Sequence, residues 1–269
     1  MNILEEIIAH KHKEIEERKQ LFPEKLLERS IYYGSKTVSL KRYVTREDMS
    51  GIIGEIKRKS PSKGVINAHL NVERASIGYM QAGASALSVL TDEKYFGGKN
   101  DYLMTARKFN FCPILRKDFT VDEYQITEAK SIGADAILLI AAALTPDKIK
   151  SLAEFAKSLG LETLLEVHNE EELNTSINQH IDLVGVNNRD LKTFTVDIKT
   201  SLDLASKIPG DFVKVSESGI SEPESIIELK KAGYSGFLMG ERFMQSGRPW
   251  KSCERFIENL NRLGAATGA

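Results

Sequence analysis

The chain has 269 residues, 41% of them hydrophobic, and its 37 lysines and arginines balance 38 acids to a formal net charge of −1. That is ample apolar material for a core, and the balance excludes a general electrostatic attraction to nucleic acid or to an acidic membrane surface. No run approaches the ~20 apolar residues of a membrane span, and the two cysteines, Cys112 and Cys253, are too few and too far apart for a disulfide framework or a thiolate metal site, so both read as packing residues.

The first segment, residues 2–20, spaces Ile3, Leu4, Ile7, Ile8 and Ile15 among Glu, Lys and Arg at helical period, which predicts an amphipathic helix. It has neither a basic leader nor a small-residue cleavage site, and the expectation is a cytoplasmic chain. Pro23 can open a short second helix through Leu26 and Leu27. His10 and His12 stand two apart on the first helix and face different directions, which argues against a metal role.

From Gly51 onward, short apolar runs alternate with helical patterns. The runs are 52–57, 86–90, 113–117, 136–141, 163–167, 183–187, 213–217 and 236–240. Helices are predicted at 71–82, 100–109, 121–132, 146–159, 170–178, 198–207 and 222–232, with a last one at 250–262. Gly83, Gly133, Gly160 and Gly233 suit left-handed helix ends, and Asp122, Asn169 and Ser221 suit helix starts. Such alternation is the signature of parallel βαβ units in an α/β protein. Eight units without a long linker fit a closed (β/α)8 barrel, the TIM barrel, of typical size about 250 residues. An open doubly wound sheet is the alternative, disfavoured because Ser60-Pro61-Ser62-Lys63-Gly64 after the first strand is not a dinucleotide-binding glycine turn. The expected organisation is a single domain over 1–262, with a helical extension over 1–50, the barrel over 51–262 and a disordered tail over 263–269.

In such a barrel the active site lies at the carboxyl ends of the strands. The ends here are polar: Glu55 and Lys57 on the first, Lys117 on the third, Glu166 on the fifth, Asn187 with Arg189 beyond it on the sixth, and Glu217 with Ser218 and Gly219 on the seventh. Side chains two apart on a strand share a face, so Glu55 and Lys57 point together, with Ile53 and Ile56 assigned to the other side. An ion-pair cluster plugging the barrel top is the structural alternative. Three carboxylates, two lysines and an arginine nevertheless exceed what stability asks, since packed apolar residues serve as well. Ser218-Gly219-Ile220-Ser221 and Met239-Gly240-Glu241 stand where barrels of this kind hold a phosphate on backbone N–H groups. Phe96 and Phe119 lie on neighbouring loops, where they can wall an aromatic group. His168 shares strand parity with Glu166 and reads as a loop residue.

Six motifs carry a resemblance: Glu55-x-Lys57-Arg58-Lys59-Ser60-Pro61-Ser62, Leu90-Thr91-Asp92 with Phe96-x-Gly98, Leu115-Arg116-Lys117-Asp118-Phe119, Leu165-Glu166-Val167-His168, Gly185-Val186-Asn187-Asn188-Arg189-Asp190-Leu191, and Ser216-Glu217-Ser218-Gly219-Ile220. In this order they resemble the indole-3-glycerol-phosphate synthases, from the first strand to the last, and the preceding helices resemble that family's amino-terminal extension. The resemblance implies conversion of 1-(2-carboxyphenylamino)-1-deoxyribulose 5-phosphate to indole-3-glycerol phosphate, carbon dioxide and water, a lyase step of tryptophan biosynthesis. Matched to the motifs, Lys117 is the expected acid of ring closure and Glu166 the base of aromatisation. Lys57 either anchors a substrate anion or supplies the dehydration proton, and Glu55 holds a lysine charged and oriented. Asn187 and Ser218 are expected at the reacting groups, and Arg189 at a carboxylate or in an ion pair. Ser60, Gly219, Gly240 and the backbone of Glu241 are expected at the phosphate. Phe96, Phe119, Glu217 and Leu238 complete the expected substrate contacts. Members of the family often carry a small residue after the last glycine, so the Glu241 carboxylate must turn away from a phosphate.

Neither a cofactor nor a metal is expected, since no His, Asp and Glu set has ligand spacing. The expected partner is a phosphorylated small molecule, without nucleic acid or membrane, bound by a monomer. Two other functions fit the fold: an aldolase forming a lysine Schiff base, and an inactive phosphosugar-binding barrel.

Overall fold

In the computed structural model, which describes residues 3–190 and 193–267, the eight apolar runs are eight parallel strands closed into one barrel. They are β1 (Ile52–Ile56), β2 (Ala86–Leu90), β3 (Ile114–Lys117), β4 (Ala136–Ile140), β5 (Glu162–Val167), β6 (Leu183–Asn187), β7 (Val213–Glu217) and β8 (Gly236–Met239). Each pairs with its neighbour in sequence, and β8 closes on β1 through Ile52–Phe237, Ile53–Leu238 and Gly54–Met239. This is the expected TIM barrel.

Alternation along the strands sorts the apolar residues into two cores. Ile53, Ala86, Leu115, Ala136, Leu138, Leu164, Leu183, Val215 and Leu238 fill the barrel interior. Ile52, Ile56, Leu87, Val89, Ile114, Ile137 and Leu165 face outward into the layer of helices. Ile53 corrects the sequence reading: it stands two residues before Glu55 and so shares its inward face, and only Ile52 and Ile56 face out. The helix Leu40–Val44 closes the amino-terminal mouth, with Leu40 and Val44 packed into the inner core and the N–H of Lys41 donated to the Glu162 carboxylate.

The connecting helices start and stop for local reasons. Asp122 and Asn169 accept N–H groups of the first turns of Glu123–Ser131 and Glu170–Ser176. Gly83, Gly133, Gly160 and Gly233 all have positive φ where helices end. Ser221 is not a cap: the helix Pro223–Lys231 begins one residue later, with Glu222 in the cap position and proline at its start. The last helix, Pro249–Thr267, continues through most of the segment expected to be a disordered tail, of which Gly268 and Ala269 lie outside the described residues. Cys112 and Cys253 are buried, and burial pushes both thiols up to about 12.

Two features of the carboxyl-terminal mouth are not visible in the periodicity. A short hairpin, Lys59–Ser60 with Gly64–Val65, forms the loop after β1. The first helix, α1 (Ile3–Leu21), reaches the same mouth, where Ile3, Leu4 and Ile7 line the cavity.

Candidate active site

The pairing register brings the charged residues level. Glu55 pairs with Ser88 and Ser88 with Leu115; strand tilt advances a level by two residues for every two strands, so Glu55 stands level with Lys117. The same step leads from Lys117 to Glu166 through Leu115, Ala136 and Glu162, and from Glu166 to Glu217 through Gly185 and Val215. Glu217 returns to Glu55 through Leu238 and Ile53. Glu55, Lys117, Glu166 and Glu217 are therefore one layer of four, contributed by the odd-numbered strands. The even strands make room for it. A Cβ on Gly185 would run into Glu217 Oε1, and one on Gly240 would stand 2.7 Å from Glu55 Oε1.

Within this layer one ammonium serves two acids. Lys117 Nζ lies 3.0 Å from Glu166 Oε2 and 2.5 Å from Glu217 Oε2. Lys57 Nζ is 2.6 Å from Glu55 Oε1, as shared strand parity requires. Burial alone would lower the Lys117 pKa, but the carboxylates of Glu166, Glu217 and Glu55 overcome it and raise the value, so Lys117 is a firmly held ammonium. Its two partners are driven apart. Burial and the charges of Glu166 and Glu55 raise Glu217 against the pull of Lys117. Glu166 resists burial through Lys117, His168 and an amide hydrogen bond from Asn187, and is lowered.

The layer floors a cavity of about 520 Å³. All fifteen residues expected at the site line it: Glu55, Lys57, Ser60, Phe96, Lys117, Phe119, Glu166, Asn187, Arg189, Glu217, Ser218, Gly219, Leu238, Gly240 and Glu241. Phe96 and Phe119, on the loops after β2 and β3, pack at 5.8 Å between ring centroids. Across the mouth, Ser218 and Gly219 after β7 both have positive φ, and Asn188 Nδ2 holds the Ser218 carbonyl at 3.0 Å. A serine in that conformation costs about 1–2 kcal/mol and persists because its surroundings impose it. The Glu241 carboxylate turns toward Arg189 Nη2 at 3.3 Å and lies 3.8 Å from Lys63 Nζ, so it joins the loops after β1, β6 and β8.

Three features escaped the sequence reading. Ile3, Leu4 and Ile7 form part of the wall. Lys11 is fully buried, with Nζ 3.0 Å from both Asp92 Oδ2 and Asp118 Oδ1 and 2.9 Å from Glu14 Oε2. Its signal was present, since Lys11 occupies the i+4 position between Ile7 and Ile15 on the buried stripe of α1. His168 lies in the loop after β5, as expected, but its ring is paired there: Nε2 is buried, 3.6 Å from Glu166 Oε1. Among the described residues no group of three or more His, Cys, Asp and Glu side chains is placed to hold a metal ion, and no helix is long and apolar enough to cross a membrane.

A sequence model of the family described as indole-3-glycerol phosphate synthase matches residues 4–256. The chain belongs to that family. An indole-3-glycerol phosphate synthase of Bacteroides thetaiotaomicron is 49% identical over 259 residues, 96% of this chain and 99% of the relative. One of Caldanaerobacter subterraneus subsp. tengcongensis is 46% identical, over 90% of this chain and 93% of its own length. Solved structures show the same barrel at low identity. A mutant tryptophan synthase alpha-subunit of Pyrococcus furiosus superposes with a TM-score of 0.61 at 18% identity, covering 80% of this chain and all of that one. Thiamine phosphate pyrophosphorylase of the same organism gives 0.60 at 15%, covering 84% and 99%. Membership of the indole-3-glycerol phosphate synthase family agrees with the motif resemblance along the strand ends, and at these identities the solved structures speak to the fold alone.

Proposed function

We infer that the chain is an indole-3-glycerol-phosphate synthase, a carboxy-lyase of tryptophan biosynthesis that closes, decarboxylates and dehydrates 1-(2-carboxyphenylamino)-1-deoxyribulose 5-phosphate. Besides family membership, the observation that carries this reading is the shared ammonium: Lys117 between Glu166 and Glu217 at the floor of a single cavity. The substrate's aromatic ring lies against Phe96 and Phe119. Its phosphate reaches across the mouth to the backbone N–H groups at Gly219, Gly240 and Glu241, with Ser60 beside them and Leu238 on the floor.

Ring closure joins an aromatic carbon to the ketone carbon, and negative charge develops on the ketone oxygen. Lys117 donates its proton there, carbon dioxide leaves from the ring, and loss of hydroxide with a further proton gives water. Glu166 takes the proton whose loss restores aromaticity. Lys57, oriented by Glu55, holds a substrate anion or supplies the proton of dehydration. Asn187 and Ser218 contact the reacting groups, and Arg189 receives a carboxylate.

The Schiff-base alternative meets a physical objection. A nucleophilic lysine needs a lowered pKa, and the ring of acids raises that of Lys117. A monomer is the proposed working unit. A phosphorylated, multiply charged substrate does not cross membranes, so the reading places the enzyme with its substrate in the cytoplasm.

The deciding experiment incubates the protein with this substrate and follows indole fluorescence. A rise that tracks protein concentration, with carbon dioxide released in equal amount, is expected. Folded protein that binds a phosphosugar and yields no indole signal would assign the chain to the binding-only alternative.

A further inference from the structure

Two carboxylates share Lys117, and a base must be ionised when its proton arrives. Once Lys117 gives its proton to the ketone oxygen it balances neither acid. Two adjacent carboxylates do not both stay charged in a buried site, so one of them takes up a proton. If that one were Glu166, aromatisation would lose its base.

The surroundings break the tie. Glu166 Oε1 accepts a hydrogen bond from Asn187 Nδ2 at 3.0 Å and lies 3.6 Å from His168 Nε2. Glu217 Oε1 is buried with no hydrogen-bond partner among the described residues. His168 is itself clamped. Glu172 Oε2 lies 3.1 Å from its Nδ1 and accepts its backbone N–H at 2.8 Å. Asn169 fixes Glu172 in turn, donating Nδ2 to Oε1 and accepting the Glu172 N–H, both at 2.9 Å. The ring therefore donates its Nδ1–H to Glu172 in a hydrogen bond and aims Nε2, buried and without a hydrogen-bond partner among the described residues, at Glu166.

We propose that His168, clamped by Glu172, is a positioning residue that keeps Glu166, rather than Glu217, ionised and oriented as the base after Lys117 has been deprotonated. The inference rests on the base assignment to Glu166. The charged groups facing the imidazole are Glu166 on the strand that precedes it, Glu172 on the following helix and Glu217 on β7, with the Lys117 ammonium beyond Glu166. Burial lowers the imidazole pKa, but Glu172, Glu166 and Glu217 together raise it above its ordinary value. The ring thus carries positive charge over a wider pH range than a free imidazole, on the side of Glu166 that Lys117 does not cover.

The test compares the wild-type protein with His168→Asn and Glu172→Gln over a range of pH. His168→Asn lowers kcat about tenfold with KM within about twofold, less than the ~100-fold expected for losing the base itself. It also moves the acid limb of the kcat profile up by about one pH unit, because Glu166 has lost a nearby positive charge. Glu172→Gln removes one of the acids that raise the imidazole, so kcat, near wild type at about pH 5.5, acquires a falling limb at lower pH than any such limb in the wild type. A merely structural role would lower activity without adding that limb. Histidine ring NMR gives a readout independent of turnover: the His168 titration moves down in Glu172→Gln and in Glu166→Gln. A wild-type profile for Glu172→Gln, or an unmoved ring titration in both variants, overturns the proposal. Absence of indole formation by the wild type would instead overturn the function, with the ring titration still to be read.

Discussion

Replacing Lys11 by methionine removes a buried ammonium and leaves the acids around it in place. Each of its 3.0 Å contacts with Asp92 and Asp118 is worth roughly 5.5 kcal/mol of attraction at an effective dielectric of about 20, much of it offset by the hydration the lysine gave up. Asp118 keeps Arg116 and the Thr91 hydroxyl, but Asp92 Oδ2 has no other partner among the described residues. Breaking a buried pair by removing one partner costs roughly 3–5 kcal/mol, which in a chain of this length corresponds to a drop in Tm of roughly 6–20 °C. The sign with pH is fixed. Burial would raise the Asp118 pKa, but Lys11, Arg116 and Thr91 depress it, so its contribution is present above the unfolded value of about 3.9 and is lost as pH falls through the folded one. The Lys11→Met deficit should hold from neutrality down to about pH 4 and shrink below it. Thermal unfolding of both proteins at pH 7 and at about pH 2.5 is the assay, and a Tm within about 2 °C of wild type at pH 7, or an equal deficit at the acid pH, would refute this reasoning. The substitution should also raise KM, because Asp92 caps the turn that carries Phe96 and Asp118 accepts the N–H of Phe119.

Lys117→Ala should leave affinity for a phosphate ligand within a few-fold and lower turnover by about 100-fold or more, the scale of a lost general acid; near-normal turnover removes Lys117 from the mechanism. Gly185→Ala puts a methyl against Glu217 Oε1 and should cost about 1–3 kcal/mol of stability and more than about tenfold in turnover, with unchanged kinetics contradicting the packing of the charged layer. Glu241→Gln frees Arg189 and Lys63 from a competing carboxylate and should lower the KM of the phosphorylated substrate by roughly threefold at low salt, with the difference shrinking as salt is added. A higher KM would mean that the carboxylate organises the phosphate loops.

Much of this protein is decided within a few residues of chain. Period-two alternation tells which strand residues look inward, and glycines such as Gly133 and Gly233 end helices wherever they sit. Inward parity alone places Glu55, Lys57, Lys117, Glu166, Asn187 and Glu217 at one mouth, because strand ends in a closed barrel share a rim. Parity says nothing of height. That Glu55, Lys117, Glu166 and Glu217 form one layer depends on register and tilt around the whole ring, which only closure sets. Lys11 looked like an ordinary helix lysine because its partners, Asp92 and Asp118, come from loops some 80 and 107 positions away in the chain. His168 looked like a loop residue for the same reason: its meaning lies in the distance from its ring to Glu166 and Glu172, and helix packing decides where a side chain at the end of a strand comes to rest. The local pattern determined which groups face the cavity; the long-range packing decided which of them share a proton.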